Sequence, residues 1–219
     1  MAKNERTELP NRHTLYLAKS GLGKSQTLKR RGGLPKGGAR VILWDNNRDH
    51  EAHREAKLSD FFRLLASAER SGKGYRVAYT GEPSPAIFEQ WARGVWSILD
   101  GRVPHYLVIE EYSDCCAGPN PINPMRYPYH RRLWTQSRKY GGIIHATSQR
   151  PQLISKDALG NAGDIYASAM DSAAARRVAA EIDIDWRELR ACQPGEFWYR
   201  NGSRDAEKMR VFKPKSQAN

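Results

Sequence analysis

The sequence predicts a three-layer α/β fold, a mostly parallel sheet flanked by helices and ending in a C-terminal β-hairpin. Three observations carry this. Short apolar runs at 39–45 (ARVILWD), 75–80 (YRVAYT), 105–112 (HYLVIEEY), 143–151 (IIHATSQRP) and 164–170 (DIYASAM) alternate with helical patterns, as βαβ units do. The run at 105–112 carries four consecutive apolar residues with no polar face, as a central parallel strand does. Two late alternating segments, 193–200 and 207–213, flank NGSRD and read as a hairpin.

The first unit is the most informative. Residues 13–31 (HTLYLAKSGLGKSQTLKRR) pass from an alternating apolar strand through a turn of small residues into helix formers. The turn is Ala18, Lys19, Ser20, Gly21, Leu22, Gly23, Lys24, Ser25, the Walker A spacing with Ala18 in place of the usual first Gly. Small residues let successive backbone N–H groups turn inward on an anion, and the following helix points its positive end there. ATP is the expected ligand. Lys24 is expected on its β- and γ-phosphates and Ser25 on Mg²⁺.

Next, 39–45 ends in Asp45, Asn46 and Asn47, where a strand faces a ligand crevice. A helix is expected over SDFFRLLASAER, capped by Ser59, with Phe62, Leu65 and Ala66 on one face. Residues 87–100 form an amphipathic helix with Trp91, Val95 and Leu99 spaced by four, core side chains rather than a base-stacking platform. The strand at 105–112 runs into Glu110 and Glu111, the shape of a Walker B strand. Glu110 takes the metal role and Glu111 the catalytic base. Glu in place of the commoner Asp sets the metal carboxylate about 1.5 Å further out. Residues 113–130 are rich in Pro and Asn and irregular. A basic helix over 131–142 stops at paired glycines. The strand at 143–151 ends in Thr147, Ser148 and Gln149, beside the Walker B acids if the strands are neighbours, and Gln149 then senses the γ-phosphate or the lytic water. Arg150 reads equally as a structural salt bridge or a charge sensor. An Asp-capped, Ala-rich helix at 171–182 turns Arg176 and Arg177 outward. Three domain segments follow: a flexible N-terminal arm (1–12), one ATPase domain (13–213) and a basic tail (214–219).

The chain of 219 residues is long enough for a substantial core. Its net charge of +12 suggests a polyanionic partner, against the plainer reading of solubility alone. Three cysteines without a CxxC pair argue against a disulfide scaffold and, with His105 and His130 each isolated, against zinc. No apolar run nears 18 residues and the N-terminus lacks an apolar signal region, so no transmembrane segment is expected and the location read is cytoplasmic.

At Ala146, Thr147, Ser148, Gln149, Arg150 and Pro151 the chain resembles the FtsK/HerA superfamily of DNA-pumping P-loop ATPases, whose members carry ATQRP after this strand; here Ser148 is inserted. Asp45 after the second strand, Arg138 to Gly141 before the sensor strand, Met170-Asp171-Ser172 to Arg176, and Leu189 to Glu196 match in order, so the resemblance covers roughly 13–200. It implies a RecA-like P-loop NTPase fold, a homo-oligomeric, typically hexameric ring around double-stranded DNA, and ATP hydrolysed between subunits with an arginine finger. Arg138 is the first candidate for that finger and Arg150 the second. A bare motor of this length is similar to the genome-packaging ATPases of tailless, membrane-containing icosahedral viruses, which implies capsid vertex proteins as partners and association with the virion. The alternatives are a filamentous-phage-type export ATPase, a nucleotide-dependent DNA-binding switch of a mobile element, and a small-molecule kinase, against which paired Glu110 and Glu111 argue.

Overall fold

The computed structural model describes residues 3–202 and 204–213. One sheet of nine strands runs through it in the order β3-β4-β2-β5-β6-β1-β7-β8-β9. The strands are β1 (Thr14–Leu17), β2 (Arg40–Trp44), β3 (His53–Glu55), β4 (Tyr75–Tyr79), β5 (His105–Ile109), β6 (Gly142–Ser148), β7 (Asp164–Ala167), β8 (Glu196–Asn201) and β9 (Glu207–Arg210). Pairs among β1 to β7 are parallel, and β8 and β9 add as the antiparallel hairpin. The α/β class expected from the sequence is therefore observed.

The central strands are buried throughout. β1, β5 and β6 have no exposed residue. Because their faces alternate, each strand feeds two cores. On one face Leu15, Ile42, Trp44 and Leu107 meet α3 (Pro85–Ile98) and α4 (Pro128–Gln136). Trp44, Trp91 and Phe88 pack there with ring centroids 5.1 to 5.8 Å apart, so the tryptophans are core side chains. On the other face Tyr16, Val41, Leu43 and Val108 pack with Leu28 of α1 (Lys24–Arg31).

Local corrections follow from tertiary packing. α2 (Leu58–Arg70) begins after Lys57, not at a Ser59 cap; the Ser59 hydroxyl instead donates to Asp60. Its inner face is Phe61 and Leu65, with Phe62 half-buried and Ala66 exposed. The basic helix before β6 begins earlier, at Pro128, and ends in a 3-10 turn over Ser137–Tyr140 before Gly141. β3 and the short α5 (Lys156–Asn161) carry no periodicity long enough to read. α6 (Ser172–Ile182) and α7 (Trp186–Arg190) complete the helices.

Arg177 does not point outward. Its guanidinium donates to the carbonyls of Pro119, Pro151, Gln152 and Ile154, at 2.7 to 3.3 Å, and so staples the loops after β5 and β6 together. The segment expected as a flexible arm lies, over its described residues, along the body. Lys3 donates to the carbonyls of Trp96 and Leu99, and Glu5 pairs with Lys139 at 2.8 Å. The basic tail at 214–219 lies outside the described residues.

Candidate active site

Parallel strands deliver their C-terminal ends to one edge, and loops leaving β1, β2, β5 and β6 converge there. The loop after β1 departs between its two neighbours: Ala18 N–H donates to Ser148 O at 3.2 Å and Lys19 N–H to Ala169 O at 3.0 Å. Gly21 and Gly23 take φ of 79° and 99°, values that favour glycine, and so curl the loop into α1. No side chain caps α1 and its first turn carries no acid, leaving its N–H groups to an external anion. Ser20 is exposed, Leu22 and Ser25 half-buried, and Lys19 pairs outward with Asp171 at 2.8 Å.

Lys24 is buried, at 7% exposure. Its ammonium donates to Lys19 O at 3.5 Å and stands 4.0 Å from Glu111 Oε1. Burial lowers its pKa, while Glu111, Glu110 and Asp49 act to raise it. Desolvation outweighs the three carboxylates, so the site disfavours the ammonium's charge.

Just past the end of β5, Glu111 adopts a left-handed backbone, φ 46° and ψ 52°, a conformation costly for a non-glycine residue. Thr147 bridges Glu110 and Glu111: its hydroxyl donates to Glu110 Oε2 and accepts from Glu111 N–H at 3.2 Å. The other Glu110 oxygen is 2.6 Å from His50 Nε2. Glu111 is clamped by one residue, Gln149, through its side-chain Nε2 at 2.6 Å and its backbone N–H at 3.1 Å. The inserted Ser148 thus keeps Thr147 on Glu110 while Gln149 reaches Glu111; its own hydroxyl accepts from Arg150 N–H at 3.1 Å.

The structure brings together the expected loop residues 18–25, Glu110, Glu111 and Gln149. Arg150 flanks them, exposed and without a carboxylate partner among the described residues. Arg138 is not brought there. It lies before β6, at the opposite edge of the sheet, where it donates to Thr7 O at 2.9 Å and to Leu9 O. The physical reason is that its helix packs at the N-terminal end of the strand it precedes.

His50 was not legible as a site residue. Asp45, fully buried, accepts from the N–H groups of Asp49 at 2.8 Å and His50 at 3.1 Å, and this turn presents the imidazole to Glu110. The signal available was the polar run DNNRDH after a strand-ending Asp. Asp49 adds to the crowding. Its pKa is raised by burial and then by Glu110 and Asp45, as expected where carboxylates gather.

This geometry can be set beside known proteins. No protein-family model matches the chain. Over 213 residues it is 30% identical to protein P9 of Pseudoalteromonas phage PM2, covering 93% of each sequence. The chain belongs to the protein P9 family. Among solved structures, the genome packaging NTPase B204 of Sulfolobus turreted icosahedral virus 2, in complex with AMPPCP, matches with a TM-score of 0.72 at 15% identity, covering 93% of this chain and 99% of that one. VirB4 of Thermoanaerobacter pseudethanolicus matches with a TM-score of 0.60 at 15% identity, covering 93% and 90%. At these identities the likeness is one of fold. This member of the P9 family therefore shares the α/β fold of these NTPases, a mostly parallel sheet flanked by helices. No helix among its described residues is long and apolar enough to cross a membrane.

Proposed function

We propose that this P9-family chain is an ATP-driven double-stranded DNA translocase that packages a viral genome, hydrolysing ATP at the subunit interfaces of a homo-oligomeric ring. The observation that carries the ATPase reading is the chain of contacts Gln149–Glu111–Lys24 laid across a phosphate-binding loop.

The donor set is one of oxygens, the Ser25 hydroxyl and the Glu110 carboxylate, with Asp49 nearby, and it suits a hard cation. Mg²⁺ would be held by Ser25 and Glu110, and it would neutralise charge developing on the β- and γ-oxygens. Polyphosphate entering the cradle offers Lys24 a stronger counter-charge and draws the ammonium from Glu111. Glu111, relieved of Lys24 and oriented by Gln149, then accepts a proton from the attacking water. Gln149 registers departure of the γ-phosphate through the same amide. Arg150 is exposed at this rim and serves as the finger or charge sensor between subunits. The net charge of +12 supports a grip on DNA phosphates that reads no sequence. Hexameric state, capsid vertex partners, and residence in the host cytoplasm and at the virion vertex belong to the same reading.

The test is ATP hydrolysis by the purified chain with and without long double-stranded DNA at two salt concentrations. Stimulation that fades with salt is expected. Turnover indifferent to DNA would leave an ATPase and remove the translocase.

A further inference from the structure

The C-terminal segment after β9 returns to the phosphate loop and leaves an aromatic ring on it. Val211 N–H donates to Gly195 O at 2.8 Å, and Gly195 N–H donates to Leu22 O at 3.2 Å, so two hydrogen bonds tie this segment to the loop through one glycine. A Cβ on Gly23 would stand 2.2 Å from Cζ and 2.3 Å from Cε1 of Phe212, so the ring edge occupies the space a side chain there would need. A Cβ on Gly195 would stand 2.2 Å from Phe212 O. Both glycines are therefore required for the ring to sit where it does. Nothing in the hydrolytic machinery uses it.

Phe212 is half-buried, not sealed in the core. Over its ring, at 5.7 Å from the centroid, lies the guanidinium of Arg30 on the last turn of α1. Arg30 is exposed and has no carboxylate partner among the described residues. An aromatic ring facing an unpaired guanidinium, at the margin of a phosphate cradle, makes a slot for a flat π-system. A base between them needs about 3.5–4.0 Å on each side, or roughly 7–8 Å in all. The slot opens to that width when Arg30 swings outward by ~2 Å, within reach of a rotamer change in an exposed side chain.

The geometry points to Phe212 as the platform on which the nucleotide base stacks, with Arg30 closing the other face. This rests on the ATPase reading above and adds where the base lies. A purely structural alternative is that Phe212 only props the phosphate loop. The two differ in what they do to a ligand without a base.

The experiment is calorimetric titration of the full-length chain with ATP and, separately, with inorganic tripolyphosphate. Phe212→Ala is expected to weaken ATP by about tenfold, the usual worth of one stacked base, and to leave tripolyphosphate within ~2-fold. Arg30→Ala, at an exposed site that does not threaten folding, is expected to weaken ATP several-fold with tripolyphosphate unchanged. Phe212→Trp is expected to retain ATP binding and to gain a fluorescence change with ATP that tripolyphosphate does not produce. Equal loss of both ligands in Phe212→Ala would make the ring a prop and overturn the platform, as would ATP binding unchanged in Phe212→Ala and Arg30→Ala together. Wild-type chain that binds neither ligand would bring down the ATPase reading itself.

Discussion

The two edges of the parallel sheet use charge in opposite ways. At the C-terminal edge, Lys24, Glu110, Glu111 and Asp49 share one small space, with Glu110 only 3% exposed. At the N-terminal edge the charges are paired within the chain. Arg40 meets Glu69 at 2.8 Å, Lys139 meets Glu5 at 2.8 Å, and Arg138 is spent on backbone carbonyls. One edge holds charge that awaits a ligand, and the other has matched its charge to close the fold. Substitutions at the first edge should cost turnover with little stability, and at the second stability with little turnover.

Glu111→Gln tests the first edge most severely. Turnover is expected to fall ~10³-fold with ATP binding kept, since the amide cannot accept the water's proton. Single-turnover kinetics would reveal it, and near-normal turnover would remove Glu111 as the base. Lys24→Ala is expected to abolish hydrolysis while the circular dichroism melt is preserved.

Stability should follow three buried histidines instead. His13, His130 and His145 each have the pKa lowered to about 3, by burial first in every case; Arg138 adds to the effect at His13. Ile144 N–H donates to His13 Nδ1 at 3.3 Å, so His13 is the neutral Nε2–H form, facing the Ser137 hydroxyl at 3.3 Å. The folded pKa lies below the unfolded value near 6.5, so the unfolded chain takes up protons first as pH falls. Stability is then full above pH 6.5 and is lost between about 6.5 and 3. From pH 7.5 to 5.5 the three together are expected to cost on the order of 4 kcal/mol. Urea unfolding at the two pH values measures this, and a flat profile would refute the burial account.

Arg138→Ala separates the edges directly. Losing charged hydrogen bonds to Thr7 O and Leu9 O is expected to cost ~2 kcal/mol, a Tm drop of about 4–8 °C. Turnover should stay within ~2-fold. A large loss of turnover at unchanged Tm would return Arg138 to the finger role. The smallest effect is expected for Gln149→Ala, about tenfold in kcat, because Glu111 keeps a clamp from the residue 149 backbone N–H.

Much of this was legible in the sequence. The small-residue turn at 18–25 implied its cradle because only such residues allow that backbone, and two acids ending an apolar strand implied a site because burying them serves no packing purpose. Gln149 was legible through the QRP element. His50, Thr147 as a bridge, Arg177 as a staple and Phe212 on the loop were not. Each acts across 23 or more residues of chain or through a turn whose shape comes from one buried carboxylate. Arg138 lies at the far edge of its own sheet, on the carbonyls of Thr7 and Leu9, so any finger role it has would be played in a neighbouring subunit's site.

By itself the sequence determined the strand–helix alternation, the phosphate loop and the two acids, because local periodicity and residue chemistry act over a few neighbours. Only the tertiary structure decided which partner each charge meets. The order β5-β6-β1-β7 places Thr147 against Glu110 and Gln149 against Glu111, and the returning C-terminal segment lays Phe212 on Gly23. Those contacts depend on strand order and chain return, which no short-range pattern in the chain encodes.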